Sequence, residues 1–541
     1  MRIAKATEKR SLERCLNRPA NEVCKRRWSY HQTYIELDKS MGKNMKSKSD
    51  LKLSKTNLMS GLQCPKNMWL NLHRKDLAAE VDAATQLQFD EGNEVGELAR
   101  EQFGKGDLID FKYWEYEKAH NRTQELIKNG SKVIFEAAFL VDGLYARADI
   151  LKKDKSGWHM IEVKKSTSVK DYHYNDAAIQ TYIVEASGLK LKSVSIMHIN
   201  NEVIFPDIDD LFTIEDITKE VHALQKDVAK KIKSLKLVAV SKTEPKVKIG
   251  PHCDDPFECP FKDHCWKSVP QYSVFDLPSL SGDKKWDLFE SGKKKIKDLD
   301  PSKYKGTVKR AIEVTKSEEQ YLDKKSIHAE LSKWKWPFYF FDFETLGPAI
   351  PRYEGTKPYG AVPFQFSCHI WSDPKKDGLE HFEYLHTQPS DPRDGVISAM
   401  LNGLGAKGSI VAYNQGFEIG VIKKLADYDK KNSKALLALV DRFVDPLPIF
   451  RAHVYHPDFL GSFSIKSVAP ALIGDKLNYD SLEVGDGSTA QAWAEQILRG
   501  KIQQPDLNKI VEHLLIYCRQ DTMAMVGLVK WLMKVSGVKA K

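Results

Sequence analysis

Long apolar runs are missing from this chain. No stretch approaches the roughly 18 uninterrupted apolar residues of a membrane-spanning helix. The first 15 residues are charged throughout and hold no apolar segment of a secretory signal. Cysteine is scarce, with eight in 541 residues, which excludes a disulfide-framed secreted scaffold. Without an export signal the expected location is a reducing cytoplasm, where clustered cysteines read as metal or cluster ligands. No phosphate loop of the GxxxxGK[ST] type occurs, so an ATP-driven motor of that kind is not encoded. Internal repeats are absent, and the 16 histidines show no ligand spacing. A general basic field is absent too. The net charge is +9, but residues 1–50 hold 13 Lys/Arg against 6 Asp/Glu, a net +7, which leaves +2 for the other 491 residues. Nucleic acid cannot be argued from bulk charge here. The basic runs at 230–236 and 284–297 read as solvated surface.

The chain is 42% hydrophobic and 29% charged, enough apolar material for roughly two to four domains. Residues 1–48 are polar and basic without apolar period and read as a disordered tail. Met45 is a plausible start, and Cys15 and Cys24 in the tail have no assigned role. Residues 49–275 mix α and β: a helix over 87–103, strands over 133–141, 144–151 and 158–164, then a helix over 175–187. Residues 276–336 are Lys-rich and helix-prone and read as a helical linker module. From 337 the chain restarts with an apolar strand over 337–345 and ends in a long helix over about 508–535.

Three constellations carry chemistry. In the first, strand 144–151 holds Asp149, and the next strand holds Glu162-Val163-Lys164. Residues i and i+2 of a strand share a face, so Glu162 and Lys164 project together, and Asp149 joins them if the strands pair. Two carboxylates can hold a divalent metal, which activates water and polarises a phosphodiester. The lysine orients that water or stabilises developing charge. Glu136 lies on the preceding strand, and Gln180 follows on a helix.

In the second, Cys253, Cys259 and Cys265 form Cys-x5-Cys-x5-Cys, with Cys64 far upstream in GLQCPKNMW. Four thiolates suit an iron–sulfur cluster or zinc, and the spacing favours neither. Cys368 and Cys518 sit in apolar contexts and read as packed thiols.

In the third, FYFFDFETLG places Asp342 and Glu344 on one face of a very apolar strand. Two adjacent buried carboxylates are costly unless a cation compensates. IVAYNQGFEIG follows with Asn414 and Glu418. In YCRQD of the last helix, Tyr517 and Asp521 are i and i+4 and share a face.

The first set resembles the PD-(D/E)xK nucleases, in the RecB-like branch that includes the CRISPR-associated iron–sulfur exonucleases. The resemblance implies a restriction-endonuclease-like fold, Asp149 and Glu162 as metal ligands, Lys164 and Glu136 in catalysis, and Gln180 on a nucleic-acid-contacting helix. The branch usually has a histidine four residues after a glycine of its early helix. Here Gly92 is followed by Gly96, which leaves Glu97 beside it as the substitute. A tyrosine often found four residues after the glutamine is here Tyr182, two residues after. The cysteine pattern also resembles this branch and implies a [4Fe–4S] cluster on Cys64, Cys253, Cys259 and Cys265, with zinc as the alternative. The third set resembles the ribonuclease-H-like DEDD 3′–5′ exonucleases of the tyrosine subtype. It implies Asp342, Glu344 and Asp521 as metal ligands and Tyr517 as the group that positions water. Glu418 takes the place of the usual aspartate, and Asp445 is a further candidate.

Together the resemblances cover about 50–275 and 337–541 and look like a bacterial family that joins both domains. The expectation is an α/β, multidomain nuclease using Mg²⁺ or Mn²⁺ on single-stranded or free-ended DNA, with no membrane partner. RNA exonuclease and degenerate nucleic-acid-binding scaffold are the alternatives. Trp266, Trp334 and Trp336 could stack on bases but read better as packing.

Overall fold

The computed structural model describes residues 51–373, 375, 378–474 and 482–538. The predicted tail, with Met45, Cys15 and Cys24, lies outside the described residues. The architecture is mixed α/β in several sheets. Among the described residues no helix is long and apolar enough to cross a membrane.

The first unit opens with a two-residue strand β1 (Leu53–Ser54) and helices α1 (Lys55–Gln63), α2 (Pro65–His73) and α3 (Ala83–Glu101). Short β2 (Asp107–Leu108) and α4 (Tyr116–Lys128) follow. Then come β3 (Val133–Val141), β4 (Leu144–Lys153), β5 (Trp158–Lys164), α5 (Asp171–Ala186), β6 (Leu191–Ile199), β7 (Phe212–Asp216) and α6 (Thr218–Ala239). The sheet order is β2-β3-β4-β5-β6-β7, and β1 also pairs with β4. β3 and β4 form a hairpin because Asp142-Gly143 supplies positive φ twice, 48° and 73°, the two-residue turn whose twist matches the strands. A Cβ on Gly143 would meet Leu51 O at 2.6 Å. Helices cover both faces. Ala177, Ile179, Ile183, Ile232 and Leu235 pack on one face with the α1–α2 residues Leu58 and Met68. Ala99 of α3 packs on the other with Phe135, Ile150 and Ile161.

One edge of β4 is shared. β1 takes Leu144 and Tyr145, and β5 takes Ile150 to Lys153. Beyond Ile161, β5 leaves β4 and stays with β6. The resulting notch opens at Asp149. The β3–β4 ladder is interrupted at the same place, between Phe135↔Ile150 and Ala137↔Ala148. There Glu136 adopts φ 56°, a left-handed conformation that non-glycine residues enter at a cost.

The predicted linker is helical and shares a core with later segments. α7 (Lys262–Cys265), α8 (Gly282–Glu290), α9 (Gly306–Ser317) and α10 (Lys324–Leu331) lead to β9, with the short strand β8 (Tyr321–Leu322) between α9 and α10. Val274, Leu277, Ile296, Ile312 and Ile327 pack with Phe450, Val468 and Leu528.

The last unit holds β9 (Phe338–Leu346), β10 (Val362–Trp371), β11 (Glu380–Leu385), α11 (Arg393–Gly403), β12 (Ser409–Val411), α12 (Gly416–Tyr428), α13 (Ser433–Val440), β13 (Phe443–Val444) and α14 (Pro446–His453). β14 (Val454–Tyr455), α15 (Ile465–Ile473), α16 (Gly487–Leu498) and α17 (Asp506–Ser536) complete it. The sheet order is β11-β10-β9-β12-β13, with β12 and β13 parallel to β9 and β10 antiparallel. Alternation along β9 splits its aromatics. Tyr339, Phe341 and Phe343 face α11–α13, and Phe338 and Phe340 pack with Met525, Val526 and Val529 of α17. By the same period, Asp342 and Glu344 fall on the α17 side.

Candidate functional site

In the first unit the notch gathers the predicted motif residues. Val163 N has no partner on β4, and Asp149 Oδ2 accepts from it at 2.7 Å. Lys164 Nζ lies 2.8 Å from Glu162 Oε1. Two residues absent from the sequence expectation complete the cluster. Asp176 of α5 accepts from Lys164 Nζ at 2.5 Å. Lys55, the first residue of α1, donates to Glu162 Oε1 at 2.6 Å and pairs with Asp176 Oδ1 at 3.1 Å. Burial opposes ionisation of Glu162, yet Lys164 and Lys55 hold it below the usual carboxylate range. Burial, then the charge of Glu162, drives Asp149 well up. Asp176 is held low by the same two lysines against its burial. Glu162 Oε2 is buried without a hydrogen-bond partner, as is Gln180 Oε1.

The other predicted groups sit around this cluster. Gln180 is buried and its Nε2 reaches Asp176 Oδ1 at 3.4 Å. Glu136 pairs with Arg100 at 3.5 Å, and burial raises its carboxyl although Arg100 and Arg147 oppose this. Glu97 is exposed. A Cβ on Gly96 would meet nothing within 4 Å.

Cys64, Cys253, Cys259 and Cys265 line one pocket together with Lys66, His252 and Lys262. All four are free thiols. Cys64 is the N-cap of α2, and the Asn67 and Lys66 backbone N–H groups face its sulfur, as helix starts do for anionic ligands. Burial pushes Cys64 up to about 12 and Cys259 up to about 11. Among the described residues, the metal-type donor atoms that lie within 4.8 Å of one another in a group of three belong to Asp342, Glu344 and Cys518. No three of the four cysteine sulfurs all lie within 4.8 Å of one another. Trp266 packs edge-on against Trp286, with Phe275 between them. Trp336 stacks on Phe338 at 4.0 Å, and Trp334 packs edge-on against it. All three tryptophans pack, as expected.

In the last unit, α17 crosses the end of β9. It brings Cys518 within 4.8 Å of the Asp342 and Glu344 donor oxygens, and Tyr517 and Asp521, also buried, close enough to feel their charge. Burial, then Asp521 and Glu344, drives Asp342 well above the usual range. Burial and Asp521 do the same to Glu344. Glu418, in the first turn of α12, is buried, and its Oε2 has no hydrogen-bond partner. Burial raises it to about 7. Tyr517 is pushed up by burial and by Asp521. Lys466 of α15 sits 5.1 Å over the Tyr517 ring and donates to Gly485 O at 2.6 Å. Asp445 has another task. It accepts from Asn414 N, Gln415 N and Leu447 N at 3.1, 3.2 and 2.8 Å. It thus caps α14 and fixes the turn in which Asn414 takes φ 67°, which aims α12 and Glu418.

The two units meet beside the first site. Tyr359 donates to Lys165 O, next to Lys164. Gly355 N and Phe205 O lie 2.9 Å apart, and Ala349 packs with Val95, Ile199 and Leu211. Lys55, Asp176, Cys518 and Lys466 are the site residues missing from the sequence expectation. Asp176 had a readable signal, since it precedes Gln180 by one helical turn.

Comparison with known proteins places residues 339–464 in a match to a domain of unknown function, DUF2779. That span contains Asp342, Glu344, Asn414, Glu418 and Asp445 but not Tyr517 or Asp521. A relative, the uncharacterised protein UU173 of Ureaplasma parvum serovar 3, is 26% identical over 223 residues, which is 36% of this chain. The chain spans 31% of that relative's length. A solved structure titled "Crystal structure of SSO0001" is 14% identical and covers 37% of this chain and 85% of its own, with a TM-score of 0.18.

Proposed function

We propose that the chain is a metal-dependent nuclease that hydrolyses phosphodiester bonds of DNA, working from single-stranded ends, with two nuclease-type sites and an iron–sulfur cluster. The observation that carries this reading is the burial of Glu344, Glu418 and Asp521, with half-buried Asp342 beside them, around the end of β9. Such a set is unfavourable without a cation and well suited to one. A divalent ion bound there supplies an activated water and charge neutralisation at the phosphate. The chain's own residues do the rest. Asp342 and Glu344 present donor oxygens from one strand face, Asp521 closes the site from α17, and Tyr517, one turn earlier, stands where it can hold the attacking water. In the first unit, Glu162 Oε2 is a buried donor oxygen facing a site that Asp149 and Lys164 share. A restriction-endonuclease-like first unit and a ribonuclease-H-like last unit are part of this reading, and the β11-β10-β9-β12-β13 order with β10 antiparallel to β9 supports the second.

The cysteine pocket, lined by Cys64, Cys253, Cys259 and Cys265, offers four thiols to an iron–sulfur cluster, with zinc as the alternative. Bound there, an iron–sulfur cluster ties residue 64 to residues 253–265 and closes the first unit.

Anaerobically purified protein is expected to show broad absorption near about 400 nm and EDTA-sensitive shortening of end-labelled single-stranded DNA. An Asp342→Ala, Asp521→Ala double variant should lose one activity and Lys164→Ala another. If both variants digest every substrate as the parent does, the site assignments are wrong. A second reading, a nucleic-acid-binding scaffold, draws on the double lysine grip on Glu162. Oligonucleotide binding with no metal-dependent hydrolysis would favour it, and faster digestion of a matched RNA would favour an RNA exonuclease.

A further inference from the structure

Glu162 Oε1 is shared by two ammonium groups, Lys55 Nζ at 2.6 Å and Lys164 Nζ at 2.8 Å. Asp176 holds the same pair from the other side, at 3.1 and 2.5 Å. Lys164 cannot travel far, because it stands two residues from Glu162 on the same strand face. Lys55 is different. It is the first residue of α1, where the helix dipole is positive and a cation is disfavoured. The carboxylates, not the helix, hold it there. Its helix start is fixed independently by the reciprocal Ser54–Asn57 capping pair, so the side chain can move without the backbone.

We propose that Lys55 is a positioning residue that competes with the metal for Glu162, holding the carboxylate when the first site is empty and vacating it when a divalent ion binds. This rests on the metal-dependent reading of that site. A dication on the unpartnered Oε2 of Glu162 would stand roughly 4–5 Å from an ammonium held on Oε1, a like-charge contact that a buried site screens poorly. Lys55 is the partner with a way out, since it reaches Glu162 from a different element, the start of α1, whereas Lys164 is fixed two residues away on the same strand; their side-chain exposures, 22% and 19%, are alike.

The test is Mn²⁺ titration of the full chain by calorimetry, in an Asp342→Asn, Glu344→Gln background that silences the last unit. Lys55→Met should bind Mn²⁺ on the order of tenfold tighter than its parent, and Lys55→Arg, which keeps the charge, should not. Asp149→Asn should abolish the binding in either case. A purely structural lysine would leave the affinity unchanged or lower it, and that result overturns the proposal while leaving the nuclease reading intact. Absence of Mn²⁺ binding in parent and variant alike, with digestion indifferent to EDTA, overturns both. A second measurement needs no substitution at Lys55. Amine-reactive labelling of the parent, read by peptide mapping, should rise several-fold at Lys55 when Mn²⁺ saturates the protein. Labelling that does not respond to Mn²⁺ counts against the proposal.

Discussion

Arg499, the residue that closes α16, donates to Glu94 of α3 at 2.7 Å while its Nε donates to Glu495 at 2.7 Å. One guanidinium thus joins the last unit to the helix that covers the first site's sheet. At the other end of α16, a Cβ on Gly487 would lie 3.7 Å from Glu344 Oε2. A single helix therefore runs from one candidate site to the border of the other. Arg499→Ala should cost only about 1 kcal/mol, since the pair is partly exposed and Arg352 still holds Glu495 at 2.7 Å. Limited proteolysis should nevertheless cut faster between the units, as followed by gel.

Asp342→Asn removes a charge from a set whose members raise one another. In EDTA the variant should melt at or above the parent's temperature, while metal-dependent digestion falls on the order of 100-fold or more. A variant that loses activity by losing stability would contradict this assignment, and calorimetry beside the digestion assay separates the two.

Glu418 sets a pH signature. Its folded-state carboxyl is raised by burial from 4.5 to about 7, so between those values the folded chain binds the proton more tightly than the unfolded chain does. Stability from this group is fully present below about pH 4.5 and is lost as pH rises through about 7. The loss is on the order of 3 kcal/mol. In EDTA, the stability difference between parent and Glu418→Gln should move in the variant's favour across that window. Mg²⁺ should flatten the trend, because a bound dication favours the ionised form.

Cys64→Ser should abolish absorption near about 400 nm and destabilise the first unit, seen as a separate lower-temperature transition. Cys368→Ser should leave the spectrum unchanged, since Cys368 is packed in the other sheet against Phe341 and Phe366. A colourless parent that releases one zinc ion per chain on acidification would replace the cluster by zinc.

The parts legible in the sequence are those governed by local pattern. β3 and β5 span the predicted 133–141 and 158–164, and α17 extends the predicted helix by a residue or two at each end. Turn chemistry at Asp142-Gly143 and strand alternation at Asp342 and Glu344 need only neighbours. Lys55 was not legible. It lies 107 residues from Glu162, and only the pairing of β1 with β4 brings it there. Asp176 is legible in principle, since it lies one turn before Gln180 on the same helix. Residues 276–336 looked like a linker because their lysines obscure the apolar positions, yet Ile296, Ile312 and Ile327 pack into the same core as Phe450. The role of Asp445 could not be read either, because its partners Asn414 and Gln415 belong to a turn about 30 residues away.

The cysteine pocket has a consequence for the order of synthesis. Cys64 leaves the ribosome 189 residues before Cys253, a delay of about 10–40 s at bacterial-to-eukaryotic elongation rates. Throughout that interval its thiol has no companions, and the wall that buries it does not yet exist. The strands and the α5 helix are all made before the pocket can close. The pocket of the first unit is thus completed by its last segment, and a ribosome stalled before residue 253 has made every strand of the first sheet but not the cysteines that share the pocket with Cys64.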